Sequence, residues 1–281
     1  MIVVTGATGN VGRPLVAALS AAGAQVTAVS RRPLPVDLPE GARHVQADLS
    51  RADSLREALE GAKALFILLG PELLGPGESP HTLLGLAKEA GVRKVVLLSS
   101  QASGTRPEAV SHDRLREFEA AVRASGLEWT ILRPGGFASN AFAWAESVRT
   151  ERTVMAPFAD VALPVVDPAD IAAVAAVALR EEGHAGQTYV LTGPVAISPR
   201  EQAAALAEAL GEEVSFVELT RESAFAHMSR FMEEAVVNGT LDILGLPLPS
   251  EQQVSPDVEK VLGRPAAPFS AWVERSLPAF K

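Results

Sequence analysis

Seven residues near the start of the chain, Gly6-Ala7-Thr8-Gly9-Asn10-Val11-Gly12, have the types and spacing of a turn made to face a diphosphate. They follow the apolar run IVVT and open an amphipathic stretch, so the context is strand, glycine turn, helix. In such a unit one glycine allows the tight turn, another lets the backbone approach a pyrophosphate, and the third permits close packing of helix on strand. The helix N-terminus then offers its free N–H groups to the phosphates. An ordinary turn also collects glycines wherever φ is positive, but three of them at intervals of three inside a strand-helix unit favour a dinucleotide site. The end of the second strand chooses the dinucleotide. A site for NAD usually carries Asp or Glu there to hold the ribose 2′-hydroxyl, whereas residues 1–36 contain no acidic residue and this strand ends Ser30-Arg31-Arg32. Two guanidinium groups suit a 2′-phosphate, which predicts NADPH/NADP+ rather than NADH.

Other residues invite chemical readings that simpler ones compete with. Asp167 and Asp170 flank Pro168 like paired carboxylates, yet DPAD before an alanine-rich helix is first a capping arrangement. Phe225, Met228, Phe231 and Met232 have helical spacing and read as packing. His81 ends the loop GPELLGPGESPH and reads as a solvated loop histidine. The five histidines are scattered and there is no cysteine, so neither a metal site nor a disulfide is expected. His112, in VSHDRLR (110–116), stands at the start of an amphipathic helix and poses the sharpest question.

The elements that must position these residues are legible from hydropathy. Apolar runs at 2–6, 25–30, 42–47, 64–69, 94–100, 128–133 and 187–192 read as strands, and helical stretches lie between them near 11–22, 53–60, 80–90, 113–125 and 168–181. That alternation predicts an α/β, doubly wound, parallel Rossmann sheet covered on both faces. After residue 193 the texture changes to a helix at 197–211, a strand at 213–219 and a second helix at 221–237. We expect a cofactor-binding domain over 1–193 and a small C-terminal α+β substrate lobe over 194–281, with part of 134–165 on the substrate side. A chain of 281 residues, 47% hydrophobic, can bury a full core. Its net charge of -9 without a basic run makes nucleic acid an unexpected partner. No signal-like or membrane-spanning stretch is visible, so a soluble cytoplasmic protein, monomer or dimer, is expected.

GATGNVG, SRRP at the second strand's end, Asp48-Leu49, SSQAS (99–103), SGLEWTILRPGGFASN (125–140), DPADIAAVAAVAL (167–179) and GQTYVLTGP (186–194) together resemble the NmrA-like branch of the atypical short-chain dehydrogenase/reductases, over residues 1–219. The resemblance implies that Gly6, Thr8, Gly9, Asn10, Val11 and Gly12 hold the pyrophosphate, and that Arg31, with Arg32 as a second candidate, holds the 2′-phosphate. It further implies that Asp48 and Leu49 flank the adenine, that Leu69, Gly70 and Ser99 line the way to the nicotinamide, and that Pro134, Gly135, Gly136 and Phe137 close over its ring.

The same resemblance exposes a gap. Most of that superfamily uses a serine with a Tyr-x-x-x-Lys pair, but the single tyrosine, Tyr189, has no lysine four residues on, and the positions of the pair fall at Ser111 and Leu115. The serine would be Ser100. Three readings of VSHDRLR stay open. Ser111 or Asp113 caps a helix whose buried stripe is Leu115, Phe118 and Val122; or His112 donates or relays the proton; or Ser111 or Ser100 holds a substrate oxygen or a water that does so. A positioned general acid is worth about 10²–10⁴ in rate, so a reductase can survive its loss on a substrate that stabilises its own oxyanion. The expectation is an NADPH-dependent reductase of a carbonyl or quinone on a bulky aromatic small molecule. Quinone reductases and ketoreductases of aromatic polyketides, as in antibiotic biosynthesis, are the family activities it resembles. The competing reading is an NADP(H)-sensing regulatory protein without turnover.

Overall fold

A computed structural model describes residues 1–33, 38–70 and 77–281. Nine strands run β1 (Ile2–Val4), β2 (Val26–Ser30), β3 (Ala42–Gln46), β4 (Ala64–Leu68), β5 (Lys94–Leu98), β6 (Glu128–Pro134), β7 (Thr153–Pro157), β8 (Gln187–Leu191) and β9 (Ser215–Leu219). The helices are α1 (Gly12–Ala21), α2 (Arg56–Leu59), α3 (Pro80–Glu89), α4 (Ala102–Thr105), α5 (Asp113–Ala124), α6 (Ala145–Glu151), α7 (Pro168–Arg180), α8 (Pro199–Leu210), α9 (Arg221–Met228), α10 (Glu234–Gly245), α11 (Pro249–Gln252), α12 (Asp257–Leu262) and α13 (Phe269–Ser276).

Seven strands form one sheet in the order β3-β2-β1-β4-β5-β6-β8, every neighbouring pair parallel. This is the doubly wound Rossmann-type sheet expected, and each expected strand of the first 193 residues is present. Strand side chains alternate between two cores, because a strand covered on both faces has no polar side to show. Val4, Phe66 and Leu132 join Leu15 of α1 and Ile171 of α7 on one face. Val3, Leu65, Ile67 and Ile131 join Leu83 of α3 and Phe118 of α5 on the other. The strand order reverses between β1 and β4, and at such a switch point the carboxyl ends of the strands leave a crevice.

Beyond the sheet, β7 pairs in parallel with β9, Val154 opposite Phe216, a strand that the hydropathy reading did not include. Val148, Val154, Leu206, Trp272 and Phe280 make a separate core there. That core joins residues from 138–154 to others from the C-terminal part, while α12 returns to pack on α7 and β8. Helix α8 starts as its sequence says, with Pro199 at its first turn and a capping box between Ser198 and Glu201.

One helix is corrected. Residues 221–237 are not continuous: α9 ends at Met228 and α10 begins at Glu234. The break lets Ala224 of α9 meet Val237 and Leu241 of α10 in a small core with Phe225 and Met228 alongside. A straight helix would hold Ala224 and Leu241 too far apart along one axis to touch. Phe231, 79% exposed, and Met232, 37% exposed, fall in the break, so only half of the supposed packing set packs.

Candidate functional site

The glycine turn is built as its spacing implies. Gly6 has φ 64°, a left-handed value open to glycine at little cost. A Cβ on Gly12 would lie 2.1 Å from the Gly6 carbonyl oxygen and 2.8 Å from the Ala7 Cα, so only glycine lets α1 start this close to the turn. Gly9 donates its N–H to the Gly6 oxygen at 3.0 Å. Thr5 fastens the strand below, its Oγ1 donating to the Phe66 carbonyl at 3.0 Å and accepting the Leu68 N–H at 2.9 Å. Helix α1 has no side-chain cap at Val11, whose own side chain is buried in the core, so no capping side chain occupies its amino end.

That groove has about 480 Å³ of space unfilled by atoms, and Gly6, Thr8, Ser30, Arg31, Asp48, Leu49, Leu68 and Gly70 line it. Gln46 of β3 donates to the Arg31 carbonyl at 2.8 Å, and Ser30 Oγ donates to the Arg32 carbonyl at 2.6 Å, so the strand end is held from both sides. Asp48 accepts the Ser50 N–H at 2.9 Å. This bond, with the nearby Arg31 and Arg51 charges, holds its carboxyl below the ordinary carboxylate range despite burial.

Six residues expected in the site, Gly6, Thr8, Arg31, Asp48, Leu49 and Gly70, thus come together on one groove, with Gly9, Asn10 and Gly12 in the turn at its end. Leu68 lines this groove, whereas its neighbour Leu69, the residue expected toward the nicotinamide, packs on the α3 and α5 side. Arg32 is exposed and does not line it. Arg51, which the sequence reading passed over, lines the outer part with Arg31, Gln46, Asp48 and Ser54. Its signal was a cation three residues after Asp48.

At the other end, β6 runs out through Pro134 into a crossing held by backbone bonds: the Gly135 N–H donates to Leu191 at 2.9 Å and the Val166 N–H to the Gly136 carbonyl at 2.8 Å. Phe137 packs half-buried on the main core. Ser99 turns away from this mouth. Its hydroxyl donates to Glu119 Oε1 at 2.6 Å, and the same carboxylate accepts Arg133 Nε at 2.9 Å and Nη2 at 2.6 Å and Arg123 Nη1 at 2.9 Å. Glu119 is 2% exposed on α5, and Arg133 hydrogen bonds together with ionic pairing keep its carboxyl below the ordinary range although burial pushes the other way. Ser100 is half-buried and its Oγ accepts the Ala102 N–H at 3.3 Å at the start of α4.

Neither Ser111 nor Asp113 caps α5. Residues Val110–His112 form a 3-10 turn, His112 itself holds the cap position without a side-chain bond, and Asp113 pairs with Arg116 in the first turn. Ser111 Oγ instead meets His112 Nδ1 at 3.0 Å. Burial, followed by the Arg116 charge, lowers the His112 pKa from its ordinary value. The expected buried stripe of α5 is present, with Glu119 and Ala121 added to it. Among the described residues no hydrogen bond joins Ser100 to Ser111 or His112. Tyr189 is buried with its hydroxyl 2.9 Å from His184 Nδ1. Asp167 caps α7 by accepting the Ala169 N–H at 2.9 Å and pairs with Arg275, while Asp170 takes Arg264 at 2.7 Å and the Ala267 N–H at 2.7 Å. His81 lies exposed in the first turn of α3; residues 71–76 of the loop before it are outside the described residues.

A sequence profile described as NAD(P)H-binding matches residues 6–182, which takes in the glycine turn, the groove and strands β2 to β7. The chain belongs to the NAD(P)H-binding family. It is 37% identical over 285 residues to the (4-alkanoyl-5-oxo-2,5-dihydrofuran-3-yl)methyl phosphate reductase of Streptomyces griseus subsp. griseus, covering 100% of this chain and 99% of that one. It is 33% identical over 289 residues to the NAD(P)H azoreductase of Xenophilus azovorans, with the same coverage. The structure of an NADPH-dependent quinone oxidoreductase from Escherichia coli complexed with NADPH aligns with a TM-score of 0.79 at 26% identity, over 99% of this chain and 100% of that one. The protein is an NAD(P)H-dependent oxidoreductase with reductase activity toward small molecules. Among the described residues no helix is long and apolar enough to cross a membrane, and no group of three or more His, Asp or Glu could hold a metal ion.

Proposed function

We propose that this reductase prefers NADPH and passes hydride to a carbonyl or quinone of a bulky aromatic small molecule without a Tyr-x-x-x-Lys acid. The observation that carries the reading is the groove itself: a glycine turn with no room for a Cβ at Gly12, leading to Arg31 at a strand end that has no carboxylate. When bound, NADPH supplies the hydride. Gly6 to Gly12 and the amino end of α1 face its phosphates, Asp48 and Leu49 border the adenosine half, and Arg31 answers the 2′-phosphate. Pro134, Gly135, Gly136 and Phe137 form the lip for the nicotinamide, and the backbone bonds to Leu191 and Val166 fix that lip against the sheet.

The proton side is what distinguishes this chain. Ser100 Oγ already accepts the Ala102 N–H, and a serine hydroxyl is a weak acid. His112, with its pKa lowered, holds little imidazolium at neutral pH. Ser100, Ser111 and His112 therefore orient a substrate oxygen or a water, and the substrate stabilises its own developing charge. A quinone does so by delocalisation, and a hydroxyaryl ketone, such as an aromatic polyketide intermediate, by an internal phenol.

The test is NADPH consumption, followed by its near-ultraviolet absorbance, across quinones, hydroxyaryl ketones, azo dyes and an alkanoyl-oxo-dihydrofuranyl methyl phosphate. The last two represent the reductases to which the chain is similar over its whole length. Turnover of the quinones or aryl ketones at rates above the others supports the proposal. Turnover confined to the furanyl phosphate overturns the aromatic part, and no turnover with any acceptor overturns the hydride reading in favour of cofactor sensing.

A further inference from the structure

We infer that Arg51 is the second arm of the 2′-phosphate site, so that Arg31 and Arg51, rather than Arg31 and Arg32, decide between NADPH and NADH. The inference rests on the NADPH reading and adds to it a residue and a mechanism of placement. Arg31 and Arg51 come from different segments, the end of β2 and the turn after β3, and both line the outer groove with Gln46, Asp48 and Ser54. Arg32, next in sequence to Arg31 in the bend after β2, does not line it.

The turn that carries Arg51 is tied at four points. The Arg51 N–H donates to the Asp48 carbonyl at 3.0 Å, and the Ser50 N–H donates to Asp48 Oδ1 at 2.9 Å. Ser54 closes the turn from the far side, its Oγ accepting the Asp48 N–H at 2.9 Å and directed at the Arg51 carbonyl at 2.8 Å. The backbone of Arg51 is thus fixed while its side chain stays exposed, and no side-chain hydrogen bond of Arg51 is found among the described residues. A guanidinium on an ordered turn, facing a polar groove and committed to no protein acceptor, is available to an oxyanion ligand. The neighbouring carboxylate is itself engaged, since Asp48 Oδ1 already accepts the Ser50 N–H. Two arms from separate segments can hold different oxygens of a tetrahedral phosphate.

The test uses the full chain and four probes, NADPH, NADH, 2′,5′-ADP and 5′-AMP, titrated against the parent and against Arg31→Gln, Arg32→Gln and Arg51→Gln. Loss of one charge-assisted phosphate contact corresponds to about 10- to 100-fold in affinity. Arg51→Gln is expected to weaken NADPH and 2′,5′-ADP by at least about tenfold and to leave NADH and 5′-AMP within about twofold. Because Arg51 is exposed, unchanged melting of the variant separates a lost contact from a lost fold. If Arg31→Gln lowers NADPH affinity while Arg51→Gln does not, or if Arg32→Gln costs more than Arg51→Gln, the inference falls and the NADPH reading stands. If no variant changes the NADPH to NADH ratio, both fall.

Discussion

Removing the Glu119 carboxylate should be the most damaging single change near the mouth of the site, although Glu119 itself touches no groove residue. Four hydrogen bonds converge on its two oxygens, from Ser99, Arg123 and twice from Arg133, and the side chain is 2% exposed. Glu119→Ala leaves the Arg133 guanidinium, 22% exposed, without its bidentate partner, and breaking a buried pair in this way costs about 3–5 kcal/mol. For a chain of this length that is about 6–10 °C in Tm at about 2 °C per kcal/mol. Arg123→Ala removes only the outer partner, 39% exposed and one helical turn away, and should cost no more than about 1 kcal/mol. A second perturbation tests the geometry. A Cβ on Gly104 would lie 2.2 Å from Arg133 Nη1, so Gly104→Ala must push the guanidinium off the carboxylate at a cost of about 1–3 kcal/mol. In an Arg133→Met background that penalty should largely vanish. Urea unfolding of the four chains of this cycle provides the coupling energy. Additive costs for Gly104→Ala and Arg133→Met, or a Glu119→Ala shift under about 2 °C, would refute the network as the element that fixes the ends of β5 and β6.

Three further outcomes follow from the site. Gly12→Ala should destabilise the fold by about 1–3 kcal/mol and weaken NADPH binding, because its Cβ meets backbone at 2.1 Å, whereas Gly9→Ala, whose nearest neighbour is 3.3 Å away, should be milder in unfolding and in cofactor titration. Ser100→Ala and His112→Ala should each lower kcat less than about tenfold, since a positioned acid would be worth about 10²–10⁴; a larger loss in either identifies the proton donor. Glu119 has a folded pKa below its ordinary 4.5, so the unfolded chain takes up that proton first and the stability it contributes is present above pH 4.5 and lost as pH falls through the folded value. The acid limb of stability against pH should therefore flatten in Glu119→Gln, and an unchanged limb would count against the linkage.

The sheet was readable because its strands are short apolar runs and its helices amphipathic, both local patterns. The glycine turn and the missing acid at the end of β2 were readable for the same reason. What escaped was set by contacts between distant segments. TVMAP (153–157) becomes a strand because SFVEL, some sixty residues on, lies beside it. The 221–237 stretch keeps helical spacing through its break, and only the fit of Ala224 against Leu241 shows why it folds back. Which of Leu68 and Leu69 faces the groove was not legible either, because a continuous apolar run does not say which face each residue takes. The capping reading of Asp167 matched, yet nothing in DPAD announced that Arg275 and Arg264 would come from the tail to pair with it and with Asp170. Arg51 lay in a turn whose hydrogen bonds, more than its composition, aim it at the groove.

Ser111, the position to which the resemblance assigns the superfamily's tyrosine, is closely covered by α10. Helix α10 crosses the 110–112 turn so closely that a Cβ on Gly239 would lie 2.5 Å from Ser111 Oγ and 3.1 Å from its Cβ. A tyrosine in the rotamer of Ser111 would drive its ring into the α10 backbone, and any larger residue at Gly239 would strike the serine. The two positions form a matched pair of small residues. Nearby, Glu251, 2% exposed, pairs with Arg106 at 2.8 Å and takes Thr105 at 2.7 Å, and Gln101 donates to the Ser250 carbonyl at 3.2 Å. The segment after α10 is thereby latched onto α4, beside Ser100. Restoring a phenol at Ser111 alone would therefore unseat α10 before it supplied a proton. In this chain the space that a tyrosine ring would need belongs to the lobe, so recovering the conventional acid requires moving a helix as well as changing a residue.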